Sequence, residues 1–397
     1  MPFSKIVKPT SFEGTNMFKP MKIGDTTVLN RVVMAPLTRM RASHPGNIPN
    51  TEWTPDYYDQ RSIYPGTTII TESTYVSKQA GGFDNAPGIW SQEQIDAWKQ
   101  TFDRIHKNGS FSWVQLWALG WEADIKNLTR DGLKYQGMTD GIYKDDESKK
   151  IALKYNNPIH GLTVAEIKQY VKDHVSAAKN SLEAGADGIE LHAANGYLLN
   201  QSLDPASNQR IDQYGGSIER RAAFILEIID ALIEEIGASK IGLRISPFYS
   251  CAGMSGSQYT GIVAQYSYLL GAIEARARKG NRIAYVHIID PIPRFTKGNE
   301  HGHPLESNDF VYSIWKGPII RAGGLGRFPQ TAMKFLIDDR TLVAYGRYFI
   351  STPDLVERLQ KGLPLNEYDK GTYYTMTAEG YTDYPTYKEA LALSWKV

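Results

Sequence analysis

Cysteine is nearly absent from this sequence. One residue, Cys251, in 397 excludes a disulfide framework, a thiolate zinc site and an iron–sulfur cluster. An excess of either charge is missing too. The 44 Lys and Arg against 43 Asp and Glu leave +1, so no global field recruits nucleic acid or an anionic membrane. No run approaches the ~18 apolar residues of a membrane span. Residues 1–14 carry Lys5 and Lys8 in a polar stretch, not the apolar core of a secretory signal. The sequons at Asn108, Asn127 and Asn200 therefore read as chance, and a reducing, cytoplasmic setting is expected. Two nucleotide motifs are also lacking. Gly324-Leu-Gly326 has no third glycine and no GxxxxGK[ST] occurs, which argues against a Rossmann site and a P-loop.

What is present is a rhythm. Short runs rich in Ile, Val and Leu recur at Val32–Met34, Thr68–Thr71, Ser112–Leu116, Gly188–Leu191, Ile241–Ile245, Ala284–Ile288, Ile319–Ala322 and Leu342–Tyr345. They do not alternate with polar residues, as suits parallel strands buried on both faces. Helical patterns fall between them, over 164–183, 218–236 and 262–279. Ser91–Gln94 and Thr163–Glu166 have the form of capping boxes, and Thr352-Pro353 that of a helix start. Eight strands alternating with helices predict an α/β fold, a (β/α)8 TIM barrel formed by residues 1–397 as one domain; an open doubly wound sheet is the alternative. Met21–Ile23 and Thr27–Leu29 flank Gly24-Asp25-Thr26 as a hairpin that would cap the N-terminal end of the barrel. Long loops are expected after strand three, at Asp124–Pro158, and after strand six, at Pro291–Ser307.

Barrel chemistry sits at the C-terminal strand ends. Those ends lack the paired carboxylates of a glycosidase, since only Glu190 lies near one. His301 and His303 have no third ligand nearby, so no metal is expected. The ends do carry Arg244, Arg321 and Arg347, each costly to bury without an anion. Gly323-Gly324 and Gly346 follow strands seven and eight, where barrels hold phosphates. A phosphate-bearing mononucleotide cofactor follows, with Thr38 and Gln115 able to bond the edge of a planar ring and Arg244 able to stabilise charge on it. His192 and Asn195 offer two donors to one oxygen, and Tyr197 carries a proton at pH 7. The grouping suits addition of hydride and a proton across an activated C=C bond.

These residues resemble those of the Old Yellow Enzyme flavoproteins, in their fungal branch, from about Phe18 to Trp395. The resemblance is carried by His192-Ala-Ala-Asn-Gly-Tyr-Leu-Leu-Asn-Gln, continuing through Asp204-Pro205, Asn208, Arg210 and Asp212–Ser217. Ala35-Pro-Leu-Thr-Arg-Met40, Gln115-Leu-Trp117, Gly317–Arg321 and Tyr345-Gly-Arg-Tyr-Phe349 support it. It implies a barrel with non-covalent FMN, reduced by NADPH and reoxidised by an enone, an enal or oxygen. By the same resemblance Thr38, Gln115 and Arg244 would face the flavin, and Gly324, Gly346 and Arg347 its phosphate, with Arg321 on the phosphate side. His192 and Asn195 would bind the carbonyl oxygen of the substrate, or the oxygen of a phenolic ligand, and Tyr197 would protonate the α-carbon. Trp117, Cys251, Phe295, Tyr374 and Phe83 would shape the pocket, and a homodimer is implied by analogy. Ser202, Arg220, Gly324, Cys251 and Phe83 depart from the usual residues; of these, Cys251 and Phe83 bear on substrate preference by widening one side of the pocket. Two other readings stand beside this one: a carbohydrate-active barrel, suggested by abundant Trp and Tyr, and a non-catalytic flavin-binding sensor.

Overall fold

The computed structural model describes residues 10–291 and 306–394. Phe295, His301 and His303 lie outside the described residues, as does most of the predicted loop after strand six. In chain order the strands are β1 (Met21–Ile23), β2 (Thr26–Val28), β3 (Val32–Met34), β4 (Thr68–Ile70), β5 (Thr74–Tyr75), β6 (Phe111–Trp117), β7 (Gln136–Gly137), β8 (His160–Gly161), β9 (Gly188–Ala193), β10 (Ile241–Ile245), β11 (Tyr285–Ile289), β12 (Ile319–Ala322) and β13 (Thr341–Tyr345). Eight of them run β4-β3-β13-β12-β11-β10-β9-β6, all parallel, and β4 pairs with β6 to close the ring. Closure decides between the barrel and the open sheet. All eight predicted strands are present, three with the predicted bounds and the others with ends moved by one or two residues.

Two glycines let the barrel fill its own interior. A Cβ on Gly188 would lie 2.4 Å from the Trp113 ring, and one on Gly242 2.3 Å from the Tyr285 ring. Trp113 and Tyr285 meet edge to face at 4.9 Å and pack with Val33, Ile70, Ile320 and Leu342. Ile23 and Val28 of the β1–β2 hairpin join this cluster, so the hairpin plugs the N-terminal end. Its turn is Gly24-Asp25, one residue tighter than predicted, because Ile23 pairs with Thr26. Gly24 has φ +55°, and a Cβ there would meet the Ser239 carbonyl at 1.9 Å.

Helices Gln92–Lys107 and Val164–Glu183 begin with complete capping boxes at Ser91 and Thr163. Thr352-Pro353 does not start a helix. The helix is Leu355–Lys361, and the Asp354 side chain before it bonds Arg358 Nε (2.7 Å) and Tyr387 N (2.7 Å) instead of capping. The excursion after the third barrel strand is folded: helices Ile125–Arg130 and Asp146–Lys154 pack together, and β7 pairs with β8.

His174, fully buried in helix Val164–Glu183, donates from Nδ1 to the Tyr170 carbonyl at 2.7 Å. Burial pushes its pKa from the ordinary 6.5 down to about 4. Its neutral form is thus bound into the fold. The stabilisation is complete above pH 6.5 and falls by about 3 kcal/mol as pH drops to 4. Glu72, lifted by burial from 4.5 to about 7, acts with the opposite sign, adding stability as pH falls from 7 to 4.5. The readout is therefore the difference between wild type and His174→Gln in denaturant midpoint. That difference should shrink from pH 7 to pH 4; a constant difference would contradict the assignment.

Candidate active site

Strand parity aims a column of polar side chains into the C-terminal half of the barrel. Gln115 lies two residues beyond Trp113, Glu190 and His192 two and four beyond Gly188, Arg244 two beyond Gly242, and His287 two beyond Tyr285. All therefore share the inward face. The register sets Gln115 beside Glu190, and Arg244 between His192 and His287. All five side chains are buried. Arg244 Nε, His192 Nδ1, His287 Nε2 and Trp117 Nε1 have no hydrogen-bond partner among the described residues, a concentration of orphaned polar atoms that demands an explanation.

His192 is driven well below its usual pKa, first by burial and then by Arg244 and His287. It is neutral at pH 7 and can donate one N–H. Tyr197 sits at the N-terminal boundary of helix Leu198–Leu203. Its ring stands edge-on to Trp117 (4.9 Å) and His192 (5.0 Å), and Trp117 stacks on Tyr75 (5.0 Å). Burial, with Glu122, Tyr249 and Tyr374 nearby, raises the Tyr197 hydroxyl above its ordinary 10 against the pull of Arg244. It holds its proton across the physiological range. Asn195 is in the left-handed region at φ +58°, and its N–H donates to Ser246 Oγ at 2.9 Å. Gly196 follows at φ +81°, where a Cβ would meet Ala252 at 2.8 Å. This turn carries the chain from His192 to Tyr197.

Beside this cluster a cavity of about 290 Å³ opens between the ends of β12 and β13. Leu37, Asn195, Arg244, Gly324, Gly346 and Arg347 are among its walls. Thr38 is half-buried at the end of β3. Its loop is fixed from beneath, since Glu72 Oε2 accepts the Arg39 N–H at 3.0 Å. Arg39 and Arg41 then turn into the protein and bind carbonyls of the 372–380 segment. Arg39 reaches Tyr373 O (3.2 Å) and Gly380 O (2.7 Å); Arg41 reaches Thr372, Tyr373, Thr377 and Glu379 carbonyls at 2.8–3.1 Å. These two arginines place Tyr374 at the mouth.

The predicted residues divide. Asn195, Arg244, Gly324, Gly346 and Arg347 share the cavity, and His192, Tyr197, Trp117 and Phe83 form the adjoining aromatic wall, with Phe83 6.0 Å from Trp117. Gln115 lies deeper, already bonded to Ser73 and Glu190. Tyr374 is 64% exposed and Cys251 is exposed as well; Tyr249, not predicted, joins Tyr374 among the groups that raise the Tyr197 hydroxyl. Arg321 requires correction. Its guanidinium is held by Asp290 at 2.5 and 2.9 Å and by Asp309 at 3.2 Å, over the Phe335 ring. With its charge already matched it faces away from the phosphate-side cavity. Also missed were Glu122, paired with Lys144 at 3.1 Å, and the Glu190–His287 contact. The latter is written only in strand parity.

Known proteins resemble this chain over nearly its whole length. Residues 16–366 match the model of the NADH:flavin oxidoreductase / NADH oxidase family. The chain is 52% identical over 391 residues to enoate reductase 1 of Kluyveromyces lactis, covering 98% of each. It is 40% identical to a probable NADPH dehydrogenase of Candida albicans, covering 96% of this chain and 93% of that one. The crystal structure of Old Yellow Enzyme from Pichia sp. AKU4542 superposes with a TM-score of 0.88 at 39% identity over 94% of each chain.

Proposed function

Since this chain belongs to the Old Yellow Enzyme group of the NADH:flavin oxidoreductase / NADH oxidase family and is an ene-reductase, we propose that it works with non-covalent FMN and NADPH on α,β-unsaturated carbonyl compounds. The observation that carries the cofactor reading is the buried, unpartnered Arg244 Nε at the wall of a glycine-lined cavity. The Nε–H has no acceptor among the described residues, an unmade bond that costs about 1–3 kcal/mol, and an electron-accepting ring with an anionic reduced form offers the acceptor it lacks. Gly323 and Gly324 have φ +131° and +73°, and a Cβ on Gly346 would crowd Leu37 at 3.2 Å. Backbone can approach a phosphate closely there. The residues present fit FMN.

On this reading Thr38, Gln115 and Arg244 hold the ring, and Gly324, Gly346 and Arg347 the phosphate. Bound FMN supplies hydride-carrier chemistry between nicotinamide and alkene. His192 and Asn195 donate to the carbonyl oxygen and draw electron density from the C=C bond. Tyr197 gives its proton to the α-carbon as general acid. NADPH and the alkene would occupy one space in turn, which gives ping-pong kinetics. Phe83, Trp117, Tyr249 and Tyr374 border the substrate, with Cys251 at its rim.

The carbohydrate-active reading fails on the same geometry: Glu190 is sealed beneath the mouth by Gln115 and His287, so it is no free acid. Titration with FMN tests the proposal. Purified protein should be yellow, and stripped protein should regain one FMN per chain; protein that stays colourless with added FMN overturns it. A yellow protein that NADPH cannot reduce would instead be the sensor.

A further inference from the structure

Beneath the mouth, Glu190 of β9 is bonded to Gln115 of β6 and His287 of β11, and through Gln115 to Ser73 between β4 and β5, by side chains alone. Its Oε1 accepts from Gln115 Nε2 at 2.7 Å and its Oε2 from His287 Nδ1 at 2.8 Å, while Gln115 Oε1 accepts from Ser73 Oγ at 2.5 Å. Gln115, Glu190 and His287 are completely buried, with Ser73 at 5%. Arg244 forms no ion pair among the described residues, and Glu190 is the first of the groups whose charge stabilises it there. The carboxylate is held below its ordinary range despite burial, by His287, Arg244 and Gln115.

The chain of bonds has a defined polarity. An ionised carboxylate only accepts, so the Gln115 amide must present its NH2 to Glu190 and its oxygen to Ser73. His287, held neutral by burial, which lowers its pKa, must carry its proton on Nδ1, which leaves Nε2 as a bare acceptor with no partner among the described residues. Neither orientation is dictated by the barrel backbone. Both follow from one negative charge.

We propose that Glu190 is a positioning residue for the cofactor end of the site: it fixes the rotation of Gln115 and supplies the buried counter-charge to Arg244, and so sets how readily the bound flavin is reduced. This rests on the assignment of Gln115 and Arg244 to FMN. The charge acts from inside the protein, where screening by salt is weak. At the effective dielectric of a protein interior, one charge acting over about 10 Å changes such an equilibrium about tenfold. Its sign is fixed. A carboxylate beneath the ring opposes the gain of negative charge on reduction and keeps the potential low.

The test is the two-electron potential of the FMN-loaded protein, measured against a reference dye, for wild type, Glu190→Gln and His287→Gln. Glu190→Gln keeps the shape and removes the charge. It should raise the potential by at least the ~30 mV that corresponds to a tenfold change, equally at low and high salt. His287→Gln keeps the carboxylate and a donor to it, and should stay near the wild-type value. An unshifted Glu190→Gln potential overturns the inference, as does an equal shift in both variants, which would mark a merely structural role. If Glu190→Gln does not fold, the His287→Gln value decides: a rise of ~30 mV or more, the tenfold change, with Glu190 still present contradicts the proposal. Failure of wild type to bind FMN would instead remove the cofactor assignment itself.

Discussion

Replacing Tyr197 with Phe should slow the reduction of an enone by about 100-fold to 10,000-fold, the range of a lost general acid, and leave reduction of the protein by NADPH intact. The reason is local. The Tyr197 ring is clamped edge-on by Trp117 and His192, and Phe preserves those contacts. The change removes one O–H and little else. That O–H is protonated at pH 7, as an ordinary phenol is, and burial with neighbouring acidic groups raises its pKa further, so it holds a proton for the α-carbon without prior activation. Accepting hydride from NADPH needs no proton from this residue. NADPH oxidation with oxygen as acceptor should therefore continue at the wild-type rate while turnover with an enone collapses. Equal loss with both acceptors would show that Tyr197 supports the fold of the mouth and not the proton transfer.

The second large effect is expected at His192. Changing it to Ala should weaken the binding of phenols and enones by about 10-fold to 100-fold, as for loss of a hydrogen bond to a charged or polarised oxygen, with FMN retained. His192 is neutral, buried and unpartnered at Nδ1, so it reaches the site with one donor and no competing bond. The Ala variant also removes packing against Trp117 and Tyr197. His192→Asn restores a donor and separates the two contributions: recovery of phenol affinity in Asn assigns the loss to the hydrogen bond. Undiminished affinity in the Ala variant would contradict the assignment.

The barrel was legible in the sequence because both faces of every ring strand are buried, which leaves Ile- and Val-rich runs without alternation. Their ends were less so: β6 extends to Phe111 and Trp117, beyond the apolar run itself. The mouth residues were legible where a functional group stands within a few positions of its partner, as His192, Asn195 and Tyr197 do across one turn. Glu190 could be seen but not understood, since its partners Gln115 and His287 lie 75 and 97 positions away and meet it only through register. Arg39 and Arg41 received no role from the sequence, because their acceptors are backbone carbonyls more than 300 residues on. Side-chain identity says nothing about a carbonyl partner. Arg321 misled for the converse reason. Its position at a strand end suited a phosphate, and only the fold shows Asp290 already in place.

The most direct measurement is anaerobic titration of the yellow, FMN-loaded protein, following its visible absorbance. One equivalent of NADPH should bleach it, and one equivalent of an enone should then restore the colour, with the saturated ketone as product. Bleaching by NADPH that an enone cannot reverse, while oxygen can, would contradict the assignment of His192, Asn195 and Tyr197 as the site of alkene reduction.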